Sequence, residues 1–102
     1  MNKKQQMQRI YLSQKEDGCI LCQLTKQKQT TPTEIHHLRN GQGMSQRNVK
    51  CIPLCVEHHR GNTGYHGLGR KAFESKYNLT ELDLLEAWES KTEINVDWDL
   101  FK

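Results

Sequence analysis

The 102-residue chain predicts a small α+β domain assembled around bound metal, with two short strands ahead of a series of helices. Three observations carry that expectation. The chain is only 34% hydrophobic and 7% aromatic, and small domains this poor in apolar surface commonly add a metal or disulfides. All four Cys and all five His fall between residues 19 and 66, with none before or after. The apolar pattern also changes along the chain, from strand-length runs inside that cluster to a helical stripe beyond it.

Residues 1–17 predict a basic helix, with Met7, Ile10 and Tyr11 at i, i+3, i+4 spacing. The opening MNKKQQMQRIYLSQKEDG lacks the apolar stretch of a secretory signal, and no run of ten apolar residues exists to span a membrane. A cytoplasmic protein with no membrane partner is expected, its cysteines free or metal-bound rather than paired in disulfides. Residues 23–33, QLTKQKQTTPT, predict a loop. Residues 34–38, EIHHL, predict a strand, and 40–47, NGQGMSQR, a glycine-bearing loop. Residues 49–54, VKCIPL, predict a second strand, which Pro53 confines to an edge or strand end.

A helix start is predicted at 56–60, cut short by Gly61, Gly64, Gly67 and Gly69, and a further helix over 68–77. The clearest helix is 81–91. Thr80 is its N-cap, Asp83 holds the capping-box position, and Leu82, Leu85, Ala87 and Trp88 form an apolar side that packs on the core. The tail INVDWDLF predicts a strand or an arm that folds back. No internal repeat is present. The expected organisation is one domain over 1–102, with a basic N-terminal extension at 1–18, a metal-bearing core at 19–77 and an acidic helical segment at 78–102.

The net charge of +3 conceals an asymmetry. Residues 1–80 carry thirteen Lys/Arg against five Asp/Glu, whereas 81–102 carry two Lys against seven acids. A basic body with an acidic tail points to a polyanionic partner such as nucleic acid. Plain solubility, with an exposed charged helix, is the competing explanation.

The metal ligands pair by spacing. Cys19-Ile-Leu-Cys22 is a C-x-x-C knuckle and Cys55-Val-Glu-His58 a C-x-x-H knuckle, and together they can close a tetrahedral Cys₃His zinc site. Two alternatives stay open: Cys19 and Cys22 as a redox pair, and Cys51 as a zinc ligand in place of Cys55 or His58. Four histidines are left over. His36 and His37 are adjacent, so on a strand they face opposite ways. His36, His59 and His66 can gather one divalent ion with open positions, and His37 would stand beside it as a free imidazole able to act as general base.

These residues resemble the HNH, or ββα-metal (His-Me finger), nuclease motif: Glu34-Ile35-His36-His37-Leu38 on a strand, then Asn48, then Leu54-Cys55-Val56-Glu57-His58-His59 entering a helix. The C-x-x-C knuckle belongs to the zinc-supported branch of that superfamily. Residues 52–77, IPLCVEHHRGNTGYHGLGRKAFESKY, more specifically resemble phage recombination-enhancement nucleases of the Ref type. The likeness runs from about Cys19 to Tyr77. It implies a ββα-metal core with a structural zinc site, flanked by helices, in an HNH-like nuclease of a phage or prophage acting in a bacterial host.

The resemblance also implies roles. His37 activates water, and Asn48 orients His37. His36, His59 and His66 hold the catalytic Mg²⁺ or Mn²⁺, a set that could also trap zinc or nickel, while Cys19, Cys22, Cys55 and His58 hold Zn²⁺. The implied reaction is hydrolysis of DNA phosphodiester bonds, leaving 3′-hydroxyl and 5′-phosphate ends, with a recombinase filament as a further partner. Arg39, Arg47, Arg60, Arg70 and Lys71 lie near the motif and are candidates for phosphate contacts. Two other functions compete: a non-catalytic zinc-stabilised DNA-binding or recruitment module with a degenerate HNH fold, and a structural zinc domain that docks on a protein through its acidic helix.

Overall fold

The computed structural model describes residues 2–38, 50–94 and 96–98. It is a small α+β structure in which helices surround a two-stranded antiparallel sheet. Helix α1 spans Lys3–Asp17 and starts in a capping box. Asn2 accepts from the Gln5 N–H at 2.8 Å, and the Gln5 side chain accepts from the Asn2 N–H at 3.2 Å. Helix α2 follows at Ile20–Thr25. It takes the first residues of the predicted 23–33 loop, because Cys19 caps it: the thiol accepts from the Cys22 N–H at 3.4 Å.

Strands β1 (Thr33–His37) and β2 (Cys51–Cys55) pair with His36 opposite Ile52 and Ile35 opposite Pro53. Leu38 N–H donates to the Lys50 carbonyl at 3.0 Å and Val56 N–H to the Pro32 carbonyl at 2.9 Å. That parity puts Pro53 in a non-hydrogen-bonded pair, so its missing N–H removes no ladder bond. Pro53 therefore sits in mid-strand, which a two-stranded sheet permits because both strands are edges.

Helix α3 (Val56–Arg60) leaves β2 directly, and α4 (Tyr65–Leu68) and α5 (Arg70–Tyr77) follow. The single helix predicted over 68–77 is thus two, broken at Gly69, whose φ of +87° disfavours any side chain. Helix α6 (Glu81–Thr92) has the predicted capping box, with Thr80 accepting from Asp83 N–H at 3.1 Å and Asp83 from Thr80 N–H at 2.9 Å. Its buried side differs from the one predicted. Glu81, Leu84, Leu85 and Trp88 face inward, while Leu82 is 39% exposed.

The core draws on most of these elements. Ile20 and Leu21 of α2, Ile52 and Leu54 of β2, Phe73 of α5, and Leu84 and Trp88 of α6 are fully buried together. Both flanks of the chain join it. Met7, Ile10 and Tyr11 of α1 pack on the core, and buried Gln14 donates to the Cys51 carbonyl at 2.8 Å. Trp88 Nε1 donates to Asp17 at 2.9 Å, tying α6 to the end of α1. Ile94 and Val96 pack against the core and Trp98 is buried, so this part of the tail folds back. The predicted loop at 40–47 lies outside the described residues. Among the described residues, no helix is long and apolar enough to cross a membrane.

Helix α4 folds back on α3 at very close range: a Cβ on Gly67 would stand 1.9 Å from the Gly61 carbonyl oxygen. Backbone cannot yield as a flexible side chain can. Gly67→Ala is therefore expected to lower the unfolding free energy by about 3 kcal/mol, the upper end of overpacking costs. Urea denaturation of the zinc-loaded protein checks this, and an unchanged midpoint would contradict the close packing.

Candidate metal centre

Two groups of metal-binding side chains lie side by side. The first is Cys19, Cys22, Cys55 and His58, all buried, with ligand atoms within 4.8 Å of one another. His58 Nδ1 lies 3.5, 3.4 and 3.5 Å from the sulfurs of Cys19, Cys22 and Cys55, and the Cys22 and Cys55 sulfurs are 3.8 Å apart. A tetrahedral ion with Zn–S of about 2.3 Å and Zn–N of about 2.0–2.1 Å requires S···S near ~3.8 Å and S···N near ~3.6 Å. The four side chains match a zinc ion on both distances, which two-centre hydrogen bonds would not impose on all of them at once.

Local folding places each ligand. Cys19 and Cys22 flank the first turn of α2. Cys55 ends β2, and His58 lies three residues on in α3. Gln29 fastens the intervening loop, accepting from Cys19 N–H at 2.8 Å and donating to Thr33 Oγ1 at 2.7 Å. Thr31 Oγ1 accepts from Glu57 N–H at 3.1 Å, at the start of α3.

Electrostatics agree with an ion. Burial pushes the Cys19 thiol up, and burial with the neighbouring Cys19 and Cys55 charges pushes Cys22 up. Burial opposes ionisation of Cys55 too, but hydrogen bonds from Thr31, the His58 backbone, Cys19 and Cys22 outweigh it and hold Cys55 low. Burial holds His58 low, in the neutral form that ligates. With Cys19 and Cys22 pushed up, all three thiols would ionise together only with a cation between them. Cys19 and Cys22 each face His58, with Cys55 alongside, which is the arrangement of a four-ligand metal site rather than of an isolated dithiol. Cys51 stands at the far end of β2, fully buried, with its thiol pushed up to about 12 by burial. It serves as a small core residue.

The second group is His36, His59 and His66, with one ring nitrogen from each within 4.8 Å of the others. They come from β1, α3 and α4. Ring centroids are 5.1 Å apart for His36 and His59, 5.2 Å for His36 and His66, and 4.8 Å for His59 and His66. Exposure rises across the group, from His36 at 1% through His59 at 17% to exposed His66. One side is therefore sealed and the other open.

Two carboxylates that the sequence analysis missed sit behind these rings. Glu81 Oε2 is 2.6 Å from His36 Nε2, and Glu34 Oε1 is 2.9 Å from His59 Nδ1. Tyr65 Oη donates to Glu81 Oε1 at 3.0 Å. His36 Nδ1 is buried with no hydrogen-bond partner. That orphan fits an ion among the three rings, since a buried polar atom otherwise demands a partner. Both carboxylates had a signal. Glu34 shares a strand face with His36, two residues away, and Glu81 belongs to the inward stripe of α6 with Leu84, Leu85 and Trp88.

His37 lies outside this trio, as its strand position requires. Its ring meets Tyr11 of α1, with Nε2 3.3 Å from Tyr11 Oη. Arg60 is 63% exposed and donates to Glu34 at 3.1 Å, and Arg70 lies 3.9 Å from Glu74. Lys71 is exposed. Asn48, Arg39 and Arg47 lie outside the described residues. No family model, curated protein or solved structure matches the chain.

The cysteine-rich site yields a paired outcome. The purified protein is expected to hold one zinc tightly, to lose it on Cys55→Ala and to keep it on Cys51→Ala, as read by metal analysis. Chelation or acidification should release the zinc and unfold the chain together, because metal affinity here is folding free energy and the ligands must be deprotonated. Zinc retained in Cys55→Ala when the histidine trio is also disabled by His36→Ala would refute the assignment.

Proposed function

We propose that the chain is a metal-dependent endonuclease of the HNH, ββα-metal kind that hydrolyses DNA phosphodiester bonds. The observation that carries this reading is the histidine trio. Three neutral-type donors on β1, α3 and α4 converge beside a closed Cys₃His site and stay open on the His66 side. The element order supports it, because β1, β2 and α3 follow as strand, strand, helix and bring His36 of the His36–His37 pair against His59. A closed site serves structure, whereas an open one leaves room for substrate.

A divalent ion held by His36, His59 and His66 would stabilise the negative charge that develops on phosphate oxygens. The protein supplies the rest. His37, the last residue of β1, removes the proton from the attacking water, a task suited to imidazole near neutral pH. Tyr11 contacts that ring from α1, and Asn48 is the further residue proposed to orient it. The basic body, with Lys71, Arg39 and Arg47 and with Arg60 and Arg70 when released from Glu34 and Glu74, draws in the phosphate backbone. Nitrogen donors favour manganese or a later first-row ion over magnesium, which prefers oxygen ligands. The zinc site holds α2, β2 and α3 in register and takes no part in the chemistry.

Plasmid cleavage at low salt, with Mg²⁺, Mn²⁺ or Ni²⁺, tests the reading. Wild type should convert supercoiled DNA to nicked or linear forms, and folded, zinc-loaded His37→Ala should be slower by about 10²–10⁴-fold. Equal rates would assign the base elsewhere. No cleavage of bare or recombinase-coated DNA with any ion would overturn the nuclease, and salt-dependent binding without cleavage would then identify a DNA-binding module.

A further inference from the structure

We infer that Glu81, on the acidic C-terminal helix α6, is a positioning residue of the histidine site, locking the His36 ring so that Nδ1 is the nitrogen presented to an ion. This rests on reading His36, His59 and His66 as ion ligands. An ionised carboxylate has only lone pairs to offer, and both its oxygens are engaged here. Oε1 accepts from Tyr65 Oη at 3.0 Å and Oε2 meets His36 Nε2 at 2.6 Å. The shared proton therefore belongs to Nε2, which leaves the lone pair on Nδ1.

A second observation makes this more than a structural contact. Glu81 is 2% exposed and His36 1%, so the pair is sealed from water. A pair that served only to brace α6 on β1 would leave no reason for Nδ1 to remain buried and unpartnered. The rings of His59 and His66 lie against His36, and with Nε2 engaged by Glu81 the nitrogen left to an ion among them is Nδ1. His59 repeats the pattern more weakly. Its carboxylate, Glu34, is 29% exposed and shared with Arg60, so its hold on the ring is divided and screened by water. Glu81 is instead sealed from water at 2% exposure, and Tyr65 holds it from the other side.

The consequence is that α6 belongs to the site. The acidic tail opens with a carboxylate turned inward, whereas Asp83 and Glu86 of the helix are exposed and Glu89 is half-buried. Carboxylates behind ligating histidines typically raise metal affinity 10- to 100-fold by fixing the tautomer and the ring.

The test uses the full, zinc-loaded chain and reads a second ion by Co²⁺ titration, with calorimetry and the visible spectrum. Thiolate charge-transfer bands distinguish any Co²⁺ that enters the cysteine site. His36→Ala should abolish second-site binding. Glu81→Gln should weaken it by about 10–100-fold, with zinc content unchanged. Tyr65→Phe keeps the carboxylate and ring intact and should weaken it by about 2- to 10-fold. Glu34→Gln should cost less than Glu81→Gln, and Glu81→Asp should recover part of the loss. If Glu81→Gln does not fold, Tyr65→Phe decides. Wild-type affinity and spectrum in the folded Glu81 and Tyr65 variants, alongside loss in His36→Ala, would make Glu81 purely structural and overturn the inference. Undiminished second-site binding by His36→Ala would instead overturn the histidine-site reading itself.

Discussion

The closure of Cys19 and Cys22 onto Cys55 and His58 is the constraint on which the remaining geometry depends. It joins positions 33 residues apart, from Cys22 to Cys55, across the whole β hairpin. Once it closes, the start of α2, the end of β2 and the first turn of α3 share one point in space. The hairpin cannot slip by a residue, since a slip would carry Cys55 to the opposite face of the sheet and out of the cluster. Helix α3 is equally fixed in rotation, because His58 must face the sulfurs. His59, the next residue, is then turned about 100° round the helix and faces the neighbouring group. The cysteine site thus sets the direction of a histidine that is not one of its ligands.

The two adjacent histidine pairs divide their work by the period of the element that carries them. On α3, His58 and His59 diverge enough to serve two clusters that lie side by side. On β1, His36 and His37 point to opposite faces, one to the trio and the other to Tyr11. His66 needs a third device. No helix or strand period could bring it back over α3; the return depends on backbone packed so closely that only glycine fits at Gly67. Strand alternation, helical rotation and glycine close packing together assemble a site from three elements.

Much of this was legible in sequence because ligand spacing is local. Two knuckles of two intervening residues, a His-His dipeptide on an apolar run, and a glycine-punctuated return to His66 each state their geometry within a few residues. The boundary errors have equally local causes. Helix α2 was hidden because its N-cap is a cysteine thiol, outside the usual capping residues, and Gly69 split a helix that composition alone would have continued. The inward side of α6 was misread because one of its members is an acid. The apolar side expected from Leu82, Leu85, Ala87 and Trp88 leaves Glu81 out, yet the stripe at 81, 84, 85 and 88 keeps i, i+3, i+4, i+7 spacing and needs Glu81 inside. Its partners, His36 and Tyr65, are 45 and 16 residues away, and no local pattern announces them.

The placement of the carboxylates has an electrostatic logic that follows from those long-range contacts. On the nuclease reading, three imidazoles bring no charge to the ion, which leaves it a strong attraction for an anionic phosphate. Glu81 and Glu34 stand one ring further out, where they fix the imidazoles and offset part of the positive charge without occupying a coordination position. Had either carboxylate been a direct ligand, it would have weakened the ion's pull on phosphate and taken a position that substrate needs. The burial gradient runs the same way, from His36 and Glu81 sealed in the core to His66 at the surface. On that reading the sealed end of the site would fix the ion, and the exposed end is where a phosphate backbone would reach it.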